Sequence, residues 1–150
     1  MTPDTGRPDA DERPLGLLLR LAHMRAAKSF SEALRPYGIE SRHYGVMLSL
    51  GMGGTHTQRQ LIDRIGSDKS SMVRMIDDLE TRGLVVRGPA EGDRRAHAVV
   101  LTEAGRETLA ATQRVAREVN DRLLDCLTPR EQATLNSLLA RFVDGGSHTG

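Results

Sequence analysis

Gly83 divides two stretches whose apolar residues repeat with different periods, and that change constrains the fold more than any other feature of the chain. Before it, from Asp68 to Arg82, Met72, Met75, Ile76 and Leu79 recur at helical steps of three and four. After it, Leu84 to Arg87 and His97 to Leu101 are short β-prone runs, separated by GPAEGDRRA, whose proline and glycines favour a reversal. A helix that closes on glycine and passes straight into a two-stranded hairpin leaves few architectures open.

The residues on either side narrow the choice. Thr57-Gln58-Arg59-Gln60 has the form of a capping box and opens a short helix carrying Leu61, Ile62 and Ile65, which Gly66 ends. Ser67 or Asp68 then caps the next helix. Two helices joined by a tight glycine turn form a helix-turn-helix, and a ribbon directly after them is the wing that extends its footprint.

Helices flank this lobe. From Pro14 to about Arg35 the chain is rich in Leu and Ala on more than one face, and Pro36 and Gly38 stop it. Ser41 is the expected cap of a second helix, with Tyr44, Met47, Leu48 and Leu50 preceding the breaker cluster GMGG. Thr102 caps a long helix with apolar positions Leu109, Ala116, Val119, Leu123 and Leu127, and Thr128-Pro129-Arg130-Glu131 starts a last one through Leu135, Leu138, Leu139 and Phe142. The expected fold is mainly α with a small β-hairpin wing: a winged helix-turn-helix lobe (41–101, wing 84–101) plus a helical region from both chain ends (14–37 and 102–144). Residues 1–13 and 145–150 read as flexible arms.

Composition excludes more than it selects. A chain of 150 residues supports one domain. It has no apolar run of bilayer length and starts polar and acidic, so the expectation is a cytoplasmic protein without membrane contact. The single cysteine, Cys126, has no disulfide partner and lies between leucines, where it is expected to pack as a small apolar residue. Five histidines include no pair at i, i+4, so neither a metal site nor a cofactor is expected. A Gly-rich phosphate loop and a nucleophile elbow are both missing, which argues against an enzyme. The net charge of +1 does not announce a nucleic-acid binder, so that reading must rest on where the charges lie.

They lie where a double helix would be. Stepping 100° per residue places Ser67, Ser70 and Arg74 opposite the apolar side of the 68–82 helix, with Ser71 at the edge and Lys69 at the flank. Small hydroxyls admit a helix deep into a major groove, and cations meet phosphates. Asp77, Asp78 and Glu80 confine any such contact to the first two turns. At the hairpin tip Arg94 and Arg95 suit a minor groove, with Asp93 able to orient one of them by a charge-assisted hydrogen bond. Taken alone, each of these is an ordinary solvated surface; their order along the chain favours DNA.

The chain resembles the MarR family of winged-helix transcriptional regulators from about Leu15 to Val143. The specific residues are Asp93-x-Arg95, five further residues and Leu101-Thr102, preceded by DKSSMVRMIDDLETRGLVVR and, earlier, LRPYGIESRHYGVMLSL. The resemblance implies a homodimer built from the first and last two helices, a recognition helix over Asp68–Arg82, a wing over Gly88–Ala96 and a pseudo-palindromic double-stranded operator. It further implies repression of nearby genes, relieved by a small aromatic or acidic effector. The pocket for that effector is expected between dimer helices and lobe, with His23, Arg25, Lys28, His43 and Tyr44 as candidates. The competing reading is a dimeric helical effector-binding or adaptor protein without DNA binding.

Overall fold

The computed structural model describes residues 12–90 and 93–145, with the side chains of 90–96 outside that description. Helix α1 spans Leu15–Leu34 and runs into a single 3-10 turn, Arg35–Tyr37, where Pro36 breaks the α pattern and Gly38 closes the turn at φ 68°. Helix α2 spans Ser41–Gly53, and its cap is Glu40 rather than the expected Ser41. The Glu40 side chain accepts from the N–H of His43, and the Glu40 N–H donates back to His43 Nδ1 at 3.1 Å, so an acid and an imidazole replace the usual hydroxyl and amide.

The glycine cluster does not break α2 where the sequence pattern suggests. The helix continues through Gly51 and Gly53 and ends at Gly54, φ 74°. A Cβ on Gly51 would overlap Leu109, and one on Gly53 would overlap the His56 ring, so these glycines serve close packing of distant parts of the chain.

A two-residue strand β1, His56–Thr57, leads into α3, Gln58–Ile65, whose Thr57/Gln60 capping box forms as expected. Gly66 and Asp68 then turn the chain into α4, Lys69–Thr81. Strands β2 (Val85–Ala90) and β3 (Asp93–Leu101) follow, and the sheet is antiparallel in the order β1-β3-β2. It therefore has three strands rather than the two of a simple hairpin, because His56 and Thr57 pair with Val99 and Ala98. The wing strands also run further into GPAEGDRRA than composition suggests. Pairing continues from Val85↔Leu101 to Pro89↔His97 and resumes at Ala90↔Asp93, leaving residues 94–96 as an excess on the return strand. Pro89 is tolerated because β2 is an edge.

Leu34, Ile39, Val46, Met47, Leu50, Leu61, Met72, Ile76, Leu79, Val85 and Val99 form the core of the lobe. Thr102 fastens the wing to helix α5, Glu103–Leu123: its hydroxyl donates to Gly83 O at 2.6 Å and accepts from Gly105 N at 3.0 Å. Gly105 is required there, since a Cβ would overlap the Leu84 carbonyl, a backbone atom that cannot step aside.

Helix α6, Pro129–Gly145, opens with the Thr128/Glu131 capping box, whose hydrogen bonds to Thr128 hold the Glu131 carboxyl below its ordinary range. Gln132 Nε2 donates to Leu124 O and Leu127 O, bracing the α5–α6 turn. Beyond that brace α6 buries none of its residues, and Leu135, Leu138, Leu139, Phe142 and Val143 are exposed, as are Leu15, Leu17, Leu21 and Met24 of α1. Cys126 is exposed at the same end, not packed as a small apolar residue, because the turn it occupies has no layer above it in this chain. Among the described residues, no helix is long and apolar enough to cross a membrane.

Candidate nucleic-acid interface

Helix α4 has two distinct sides. Met72, Met75, Ile76 and Leu79 are buried in the core, whereas Lys69, Ser70 and Arg74 are exposed on the other face and Ser67 and Ser71 are half-buried beside them. The helix start is fixed by Asp68, whose Oδ1 accepts from Ser71 N at 2.9 Å and whose Oδ2 accepts from Ser71 Oγ at 2.6 Å. The Ser71 hydroxyl and then its N–H hold the Asp68 carboxyl below its ordinary pKa, so it stays charged at the positive end of the helix dipole. The Ser71 hydroxyl proton is thus committed to the cap. Ser67 Oγ donates to Asp68 O at 3.2 Å, and Arg74 Nε lies 3.4 Å from Ser70 O, which lays the arginine back along the helix towards its start. The groups best placed to reach a ligand from this face are Lys69, Ser70 and the terminal nitrogens of Arg74.

The three acids of α4 are each engaged by a neighbouring element. Arg87 on β2 donates to Asp77 Oδ1 at 2.5 Å and to Glu80 Oε1 at 3.2 Å, and its N–H donates to Glu80 Oε2. Asp78 faces His43 Nε2 at 3.3 Å. Arg87 was not among the residues singled out by sequence. The available signal was a cation at the start of the wing, opposite two acids spaced i, i+3 on the preceding helix.

The backbone of Asp93, Arg94 and Arg95 belongs to β3, with both arginines in the 94–96 excess. Their side chains, and so the proposed orienting bond from Asp93, lie outside the described residues.

The effector candidates do not converge on one cleft. His23, Arg25 and Lys28 are exposed on α1. Arg25 lines a cleft of about 480 Å³ with Ser29, Glu32, Val119, Arg122 and Leu123. Tyr44 is half-buried; burial raises its hydroxyl pKa while Arg117 pulls it down. His43 must be removed from the set. It is 1 % exposed, and both ring nitrogens face protein partners, so it has nothing to offer a ligand. A second cleft, about 420 Å³, lies between the end of α2 and the start of α5 and includes Thr55, Arg106 and Gln113, none of which the sequence singled out. Among the described residues no three His, Cys, Asp or Glu side chains gather as a metal site.

A short helix, a glycine turn and a second helix with one free polar face, followed at once by an antiparallel ribbon, define a winged helix-turn-helix, a DNA-binding class. Comparisons with known proteins narrow that class. The MarR family pattern matches residues 37–96. The multiple antibiotic resistance protein MarR of Escherichia coli is 30% identical over 131 residues, covering 87% of this chain and 91% of that protein. The transcriptional repressor NicR of Pseudomonas putida is 28% identical over 136 residues, covering 91% and 86%. Among solved structures, a cysteine-to-serine variant of Escherichia coli MarR complexed with operator DNA superposes with a TM-score of 0.80 at 28% identity, over 86% of this chain and 93% of that one. This chain belongs to the MarR family. It is a DNA-binding transcriptional regulator and not an enzyme.

Proposed function

We propose that the protein is a homodimeric, sequence-specific repressor of nearby genes, released from a pseudo-palindromic operator by a small acidic or aromatic effector. One observation carries the DNA reading: the exposed face of α4 presents Ser70 and Arg74 opposite the core residues that hold the helix in place, with an exposed Lys69 at its flank. On this reading the first two turns of α4 enter the major groove, Lys69 meets a phosphate, Ser70 and Arg74 read base edges, and Arg94 and Arg95 reach the adjacent minor groove. NicR, named a repressor, and the operator complex of Escherichia coli MarR support it by similarity. Two-fold symmetry sets the half-sites about one turn of DNA apart.

The test is a band-shift on the gene's own upstream region, repeated over single base changes. Arg74→Ala should flatten the preference at one base pair in each half-site, a loss of about 1–3 kcal/mol of discrimination, while other positions keep theirs. An equal loss over all base variants would make Arg74 a phosphate contact.

For release, the Arg25 cleft is the better of the notable sites. It joins Arg25 and Arg122 across α1 and α5, so a carboxylate bound there would act on both elements at once. Simple aromatic monocarboxylates such as benzoate, titrated against the bound operator, should release the parent protein at lower concentration than Arg25→Ala. Equal release of both would move the effector elsewhere, with His23, Lys28 and Tyr44 next to be replaced.

A further inference from the structure

The buried imidazole that drops out of the effector set has a defined task of its own. The backbone N–H of Glu40 points at His43 Nδ1 from 3.1 Å, so Nδ1 must carry a lone pair, and the ring proton sits on Nε2. That nitrogen faces Asp78 Oδ2 at 3.3 Å. A single neutral tautomer therefore completes the cap of α2 and donates to a carboxylate in the last third of α4. The two ends differ in setting: His43 is buried, while the Asp78 side chain is 52% exposed. The Glu40 carboxylate is occupied by the cap and by Arg42 Nε at 2.8 Å, which leaves Asp78 as the acid across from the ring.

Asp78 also has a telling position on its helix. At 100° per residue it falls to one side of the line through Ser70 and Arg74, and Asp77 and Glu80 fall to the other. Arg87 of β2 holds the second pair. Helix α4 is thus held from α2 on one flank and from the wing on the other, and two such ties fix its rotation about its own axis. That rotation matters, because a turn of roughly 20° moves a side-chain tip on a helix of 10–12 Å diameter by about 2 Å. A shift of that size is enough to break a hydrogen bond to a base edge.

We propose that His43 and Asp78 form a positioning pair that sets the presentation of α4 to DNA, so that they govern operator discrimination without touching the operator. The inference rests on the DNA reading above. It makes a prediction opposite in sign to that of a plain surface acid. Removing an acid from a DNA-facing helix should strengthen binding to every sequence alike. Removing a positioning acid should lower the preference for operator over other DNA.

The experiment uses the full-length protein, an operator fragment and a scrambled fragment of equal length at one salt concentration. Asp78→Asn and Asp78→Ala delete the same charge, but only the first keeps an acceptor for His43 Nε2. Asn is expected to retain the parent's operator-to-scrambled ratio, and Ala to lower it about tenfold. Equal ratios for Asn and Ala would overturn the pairing. His43→Gln, which retains an acceptor for the α2 cap in the way Gln60 serves Thr57, should lose no more ratio when combined with Asp78→Ala than Asp78→Ala loses alone. Multiplying losses would mean two independent effects. Failure of the parent itself to tell operator from scrambled DNA would sink the repressor reading instead. The pair is then still read in the free protein by imidazole nitrogen shifts, where a bare Nδ1 with protonated Nε2 is expected and the reverse tautomer would refute it.

Discussion

Leu138→Asp combined with Phe142→Asp should convert the protein to a monomer in sedimentation and lower operator affinity by about 10²- to 10⁴-fold, the loss expected when two linked half-site contacts become independent. The physical basis is an unmatched surface. Phe142 is 59% and Leu138 53% exposed, on a helix that buries nothing in its own chain. Leu15, Leu17, Leu21 and Met24 of α1 add apolar surface of the same kind. Large apolar side chains left bare along two helices are unusual on a monomer, and a second copy brings the same two helices to cover them. Carboxylates buried there without partners would cost several kcal/mol each. Both positions are exposed within one chain, so the lobe should keep its fold, which the retained helical circular dichroism would check. Leu123 is a poorer choice, because it is half-buried in the same chain and lines the Arg25 cleft. A dimer that survives the double substitution would place the interface elsewhere.

Local chemistry was legible in the sequence, and contacts between distant segments were not. The starts of α3, α5 and α6 each follow from a hydroxyl that accepts a backbone N–H three residues on, and the residues involved sit within one turn of each other. The two faces of α4 follow from its period alone. What escaped was one unusual local pairing and several contacts set by partners far along the chain. Ser41 looks like a cap, but Glu40 takes the role because His43 can return the hydrogen bond. Gly51 sits in what looks like a breaker cluster and Gly105 carries no signal of its own, but each is placed by what it meets, Leu109 in one case and the Leu84 carbonyl in the other. Strand β1 is two residues long and exists only because β3 offers it an edge. In the candidate site the same division holds: Lys69, Ser70 and Arg74 could be found by counting, whereas the hold of Arg87 on Asp77 and Glu80, reaching from the wing back to α4, required the geometry.

That division bears on the wing, where replacing Arg94 and Arg95 together by Ala should reduce operator affinity by about tenfold to a hundredfold near physiological salt. For every phosphate the wing no longer neutralises, the plot of log affinity against log salt should also become shallower by about 0.9. The physical starting point is the ladder. Regular pairing from Val85↔Leu101 to Pro89↔His97 anchors the ribbon, and residues 94–96 are surplus to it, so the two arginines are not needed to hold the strands. Their replacement should leave thermal stability and dimerisation as they are. A planar guanidinium in a narrow minor groove senses groove width as well as charge, so the loss should be larger for operators whose flanks are A·T-rich. Single substitutions separate the two: the arginine that enters the groove should account for the flank dependence, and one that meets only phosphate should reduce the salt slope without it. Unchanged affinity in the double variant would leave α4 to bind alone and would remove the wing from the interface.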